Sequence, residues 1–377
     1  MARQYKVGIT INFDVSFFSN GLQQNVVFLQ KLINEMDKFQ AFFLWEGKSI
    51  NDVFVNKDDC IKYKDFLKND FIKLDLVIMM GFTIRDNYVL KYKEKNRNSK
   101  FVLFQCGNQF VENVSFSLFD INKLNPNSKH SPIKRTRQLD QIWLSPHYKK
   151  NIPYTQQYFK NENVIEAPYI WDSLFIDYQV KKYDLKKISD LQDSKNNIVI
   201  LEPNLNQSKH CILPLFLVES YEQKFPNILK SCNIFCGEKI FQNDYFIKLI
   251  LDMDIYKYRK NFLKVHKRIP FLTAIKNFGS IIISYQQDNA LNYIYLEALY
   301  LGLPLLHNSK FIQDFGYFYP ENDINIGRDK LDLIVKRHRS NLDSYKVNSN
   351  NLLNKFSYKN DKNKENYYKI FMNLIKN

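Results

Sequence analysis

The sequence has little of what marks several large protein classes. Ten glycines and eleven prolines in 377 residues exclude a collagen-like or linker-rich chain. No apolar run approaches 18 residues, so no membrane-spanning helix is expected. Residues 1–11 carry no apolar stretch followed by small residues, so no secretory signal is expected. Five cysteines, an odd number, form no framework, which points to a reducing, cytoplasmic setting. Cys232 and Cys236 lack metal-ligand spacing, and no second ligand pair lies near them, so no metal site is expected. Neither a phosphate-binding glycine loop nor a nucleophile elbow occurs. Arginine is scarce as well: 10 against 44 lysines.

What is present is apolar and basic. Hydrophobic residues make up 45% of the chain, which excludes disorder. Lys+Arg exceed Asp+Glu by 54 − 39 = 15. Abundant Lys, Asn, Ile, Tyr and Phe carry the mark of an AT-rich genome, so part of this charge follows from codon usage. The rest is concentrated. Residues 85–100 carry +4, 123–150 carry +6 and 255–268 carry +6, the last with Tyr256, Tyr258 and Phe262 interleaved. Such patches suit the phosphates of nucleic acid or an anionic membrane surface.

Apolar β-branched runs alternate with helical periodicity. Residues 6–11 (KVGITI) read as a buried strand, 12–20 as a loop, and the stretch from Gly21 as an amphipathic helix carrying Leu22, Val26, Leu29, Leu32 and Ile33. Further strands are expected at 41–45, 74–80, 101–105, 141–145 and 164–168. A charged stretch, 177–196, reads as a crossing between domains. A second series follows, with strands at 197–201, 231–235, 280–284 and 304–307, and helices at 213–221, 271–278 and 291–300. The fold class is α/β, with two Rossmann-like open-sheet domains facing a cleft. The domains are expected at 1–180 and 181–355, with a terminal helix at 356–377 returning to the first.

Residues 284–309 (SYQQDNALNYIYLEALYLGLPLLHNS) run strand, polar loop, helix, Gly302, Pro304, strand. With Glu297-Ala298 before them, these residues resemble the E-A-x-x-x-G-x-P donor segment of retaining GT-B glycosyltransferases. They are also similar to a bacterial and phage group of GT-B-like proteins. The resemblance implies a UDP- or GDP-sugar co-substrate, no other cofactor and no metal. It places Glu297 on the ribose hydroxyls and the helix start, Asn289 and Ala290, toward the donor phosphates. Asn289 stands where the family has a second Glu, and Asp288 is the carboxylate beside it. In residues 198–219 the resemblance assigns Lys209 to the donor diphosphate, with Asn204 in the loop before it. In the first domain it points to Asn20, Gly21, Gln24, Asn25 and Asn108 near the acceptor, and to Asp14 as a candidate base. The implied activity is sugar transfer to a hydroxyl of a glycan or lipid-linked sugar, or of a hydroxymethylated base in DNA. The alternative is a non-catalytic GT-B-like binding protein. Asp252-x-Asp254 follows a helix rather than a strand and is not expected to hold a metal.

Overall fold

A computed structural model describes residues 3–18, 21–50, 53–68, 72–119, 138–185 and 196–376. The chain divides into two compact units, 1–172 with 355–377, and 173–354. The division falls a few residues before 180, and the start of the charged stretch read as a crossing lies inside a helix of the second unit, Leu174–Lys182.

The first unit holds a seven-stranded parallel sheet. Its strands are β1 (Tyr5–Asn12), β2 (Phe39–Glu46), β3 (Cys60–Lys62), β4 (Leu76–Met79), β5 (Lys100–Gln105), β6 (Gln141–Leu144) and β7 (Val164–Glu166). Their order is β3-β2-β1-β4-β5-β6-β7. The chain runs outward from β1 to β3, then returns to the other side of β1 with β4. Val7, Ile9 and Ile11 of β1 and Leu76, Val77 and Ile78 of β4 are fully buried, as a strand covered on both faces requires. The helix Gly21–Asn34 covers β1 and β2 and buries Val26, Leu29, Leu32 and Ile33. The last helix, Asp361–Lys376, belongs to this unit. Its Phe371 stacks on Trp143 at 5.6 Å and meets Phe39 edge-on at 5.3 Å.

The second unit repeats the plan with six parallel strands: β8 (Asn197–Ile200), β9 (Ser231–Ile234), β10 (Leu263–Val265), β11 (Ile281–Ile283), β12 (Leu305–His307) and β13 (Tyr317–Phe318). The order β10-β9-β8-β11-β12-β13 again reverses beside its first strand, between β8 and β11. Ile198, Ile200, Leu215, Val218, Tyr221, Ile234, Ile283, Leu306 and Tyr319 share one core. Burying each such side chain contributes about 1.5–3 kcal/mol. Among the described residues, no helix is long and apolar enough to cross a membrane.

The segment around Gly302 shows how sequence sets local structure. The helix Tyr293–Tyr300 starts two residues later than expected, because Asn292 caps it by accepting the Ile294 N–H. It ends with Gly302 at φ +67°. Leu303 N–H donates to Ala298 O at 2.9 Å and Gly302 N–H to Leu299 O at 3.1 Å, a Schellman closure. Pro304 then turns the chain into β12, and its carbonyl accepts the Ile282 N–H.

Candidate functional site

In an open parallel sheet, ligands bind outside the carboxyl ends of the strands, where the strand order reverses. In the second unit that point lies between β8 and β11. Glu202 leaves β8 there and Ser284 leaves β11.

Glu202 is 2% exposed. Its Oε1 accepts the Ser284 hydroxyl and the Tyr285 N–H, the latter at 3.3 Å. Ser284 Oγ lies 2.8 Å from Tyr295 Oη, and the Ser284 carbonyl accepts the Tyr319 hydroxyl at 2.9 Å. Glu202 Oε2 is buried with no hydrogen-bond partner among the described residues. Burial pushes the Glu202 carboxyl up to about 7, against the pull of the Lys209 charge and the two hydrogen bonds.

The loop from β8 to the helix Ile212–Lys224 is pinned by its asparagines. Asn204 sits in the left-handed region at φ +53°. Its Nδ2 donates to the carbonyls of Glu202 and Phe235, and its Oδ1 accepts the Cys211 N–H. Asn206 Oδ1 accepts the Ser208 N–H, and the Gln287 N–H donates to Ser208 O, tying this loop to the one after β11. Lys209 is thereby held half-buried, and its ammonium makes no hydrogen bond or ion pair among the described residues. Burial lowers its pKa, and the neighbouring Glu202 raises it. The His210 ring lies 4.5 Å from that of Tyr285. Burial lowers the His210 pKa, and its Nδ1 is buried and unpartnered among the described residues.

The remaining donor-side candidates lie in the loop after β11 or on the helix behind it. Asp288 is left-handed at φ +55°. The Asn289 N–H donates to Gln286 Oε1, and the Ala290 carbonyl accepts the Ser309 hydroxyl. Glu297 is buried at 8% exposure on the helix Tyr293–Tyr300. Two residues along a helix turn the side chain by about 200°, so Tyr295, not Glu297, joins the Glu202 network. Glu202 went unnoticed in the sequence. Its signal was there: an acidic residue directly after the apolar run at 197–201 (NIVIL).

In the first unit, the same edge carries the acceptor-side candidates. Asp14 is exposed, and its Oδ1 accepts the Lys48 N–H at 2.8 Å, tying the loop after β1 to the segment after β2. Asn20 lies outside the described residues, and Gly21 opens its helix. Gln24 donates to Phe17 O at 2.8 Å. Asn108 Oδ1 caps a helix through the Val111 N–H and accepts from Asn151. Asn25 donates to Cys106 Sγ at 3.6 Å, while its buried Oδ1 has no partner among the described residues. Burial pushes the Cys106 thiol up to about 12.

No group of three or more His, Cys, Asp or Glu side chains able to hold a metal occurs among the described residues. Asp252 pairs with Lys257 at 3.7 Å, and Asp254 accepts from Gln223. Of the basic patches, residues 123–137 lie outside the described residues. In 255–268, Arg259 is committed to Glu222 and to Leu229 O, whereas Tyr256 and Tyr258 are 50% and 77% exposed beside Lys257 and Lys260.

The chain belongs to the family described as "Protein of unknown function (DUF2827)", whose model matches residues 7–371. No curated protein sequence matches it. Its fold is similar to that of several solved structures. The N-terminal domain of Candida albicans trehalose-6-phosphate phosphatase aligns at TM-score 0.59 and 9% identity, over 98% of this chain and 97% of that one. The pneumococcal O-GlcNAc transferase GtfA, solved with UDP and GlcNAc, aligns at TM-score 0.55 and 9% identity, over 100% of both chains. A glycosyltransferase from Rickettsia africae aligns at 0.54 and 12% identity, over 99% of both. The architecture is the GT-B fold of two Rossmann-like units.

Proposed function

We propose that the chain is a glycosyltransferase that takes a sugar from a UDP- or GDP-sugar bound at the β8–β11 edge of the second unit. The observation that carries this reading is Lys209. A half-buried ammonium without a hydrogen bond, fixed at the reversal point of a parallel sheet, is a site for an anion. In this reading Lys209 neutralises the donor diphosphate, and the loop carrying Asn289 and Ala290 lines the donor. Glu297 accepts the ribose hydroxyls. The acceptor hydroxyl belongs to the first unit, where the unpartnered Asn25 Oδ1 suits a hydroxyl donor. Asp14 and Asp288 are the carboxylates offered for proton removal and for steadying the charge that develops on the sugar. The exposed Tyr256 and Tyr258 among lysines favour a glycan acceptor at an anionic membrane surface over DNA.

The test is a thermal-shift screen with UDP-glucose, UDP-N-acetylglucosamine and GDP-mannose, followed by calorimetry on Lys209→Ala and Glu297→Ala. A specific donor raises the melting temperature by mass action, and each variant weakens it by about tenfold or more. Unchanged donor affinity in both variants sinks the reading. Donor binding without sugar release or transfer moves the assignment to a nucleotide-sugar-binding protein. The asparagine at 289, where a retaining transferase of this architecture has a carboxylate, makes that a second reading. Acceptors separate by salt: duplex DNA binding that drops steeply between 50 and 200 mM salt argues for a nucleic-acid acceptor.

A further inference from the structure

The β8–β11 edge contains a carboxyl group that the donor reading does not use. Glu202 is placed to compete with a bound anion. It lies beside Lys209, and that ammonium is the charged group against it. Its other neighbours are neutral: Ser284 and Tyr285 from the end of β11, Tyr295 from the helix Tyr293–Tyr300, Tyr319 after β13, Cys211 before the helix Ile212–Lys224, and Cys236 after β9. Farther out, Asp288 acts on Tyr285 and Arg268 on Cys236. Of the two carboxyl oxygens, Oε1 is hydrogen-bonded and Oε2 is buried without a partner among the described residues. An ionised Glu202 is steadied on Oε1 by Ser284 and Tyr285, keeps Oε2 unsolvated, and has the Lys209 charge as the full positive charge acting on it.

We propose that Glu202 is a positioning residue that couples anion binding to a proton. Ionised Glu202 offsets the Lys209 charge through space and repels the ligand's diphosphate, whereas neutral Glu202 leaves the full Lys209 charge to the ligand. The inference rests on the donor reading and adds to it that the site takes up a proton as it fills. The balance is simple: one proton moves from solvent to the Glu202 carboxylate, and no bond to the ligand forms or breaks. The loop geometry makes the coupling local, because Asn204, Asn206 and the Ser208–Gln287 link fix the backbone on both sides of Lys209. The Glu202 carboxyl titrates near neutral pH, so the coupling falls within the range where a protein is handled. Burial lowers the His210 pKa from its ordinary value, opposite in direction to the Glu202 shift.

The experiment is calorimetry on the full chain with UDP-glucose and GDP-mannose at pH 6 and pH 8. The diphosphate of a nucleotide sugar carries no proton that titrates in this interval. In wild type, affinity falls by up to about tenfold from pH 6 to pH 8. Glu202→Gln, which fixes the neutral form, binds at pH 8 as wild type does at pH 6 and shows a flat profile. A second measurement needs no variant. At pH 7.5 the binding enthalpy varies with the ionisation enthalpy of the buffer, with a slope of about half a proton or more taken up per ligand. A purely structural Glu202 moves neither readout. Binding that changes by less than about twofold between the two pH values, with no buffer dependence, overturns the inference and leaves the donor reading standing. If neither nucleotide sugar binds at either pH, both fall together.

Discussion

Replacing Glu202 by glutamine removes one titrating group while keeping its size and its acceptor oxygen. The stability consequence follows from the carboxyl alone, without any ligand. Its value is 4.5 in the unfolded chain and about 7 in the folded one. Below pH 4.5 both states bind the proton. Between 4.5 and 7 only the folded state keeps it, so wild type loses stability as pH rises. Above 7 both are ionised and the loss is complete. At 1.36 kcal/mol per unit, the full loss is about 3 kcal/mol, and the part that falls between pH 5 and pH 8 is about 2.5 kcal/mol. The stability of Glu202→Gln relative to wild type therefore rises by about 2.5 kcal/mol from pH 5 to pH 8. All other titrating groups are common to both proteins and cancel. Urea unfolding at the two pH values measures it, with far-UV circular dichroism as the probe. Tryptophan emission is the internal control, because Trp45, Trp143 and Trp171 all lie in the first unit. Parallel pH profiles for the two proteins, within about 0.5 kcal/mol, refute the reasoning.

Three further outcomes are expected. His307 is buried, donates through Nε2 to Phe315 O, and accepts the Ser309 N–H at Nδ1. Burial lowers its pKa to about 4, so its contribution is present above pH 6.5 and is lost on acidification toward 4. Urea midpoints at pH 7 and pH 5 then show wild type losing about 2 kcal/mol that His307→Gln does not lose. Gly302→Ala strains a left-handed position and lowers stability by about 1–2 kcal/mol, with Glu202 chemistry and donor binding intact. Asn204→Ala removes the side chain that ties β8, the end of β9 and the start of the following helix, at a cost of about 2–3 kcal/mol, while Asn204→Gly relieves the φ strain and recovers part of it. Thermal melts of both variants check these values.

The strands that are buried on both faces were legible because burial writes itself as an unbroken apolar run. β1, β2, β5, β8 and β11 all stand within two residues of their expected bounds. Of the four edge strands, β7 was legible at Val164–Glu166 and the other three were not. β3 (Cys60–Lys62), β10 (Leu263–Val265) and β13 (Tyr317–Phe318) are two or three residues long and half-buried or exposed, so they carry no period to read. The Gly302 cap was legible because only one residue type takes that backbone at little cost. The site was legible in part. A resemblance pointed to Lys209 and Asn204 as candidates. Glu202 was passed over because a sequence does not say whether an acidic residue after a strand faces water or a sheet edge. Asn108 and Gln24 are expected near a ligand; in the structure their side chains bond Val111 and Asn151, and Phe17, contacts that a polar residue near a helix start readily makes.

The helix Asp361–Lys376 gives the first unit a seam in time as well as in space. A ribosome releases residues 1–172, then all of the second unit, before the segment that covers Phe39 and Trp143 leaves the tunnel. The second unit is one continuous stretch and is free to fold while the first waits with an aromatic face uncovered. Expression of 173–354 alone should give a folded product, and expression of 1–172 alone an aggregating one. The stability of the first unit is then a property of the whole chain, and a truncation that spares every candidate site residue still removes the first unit's support.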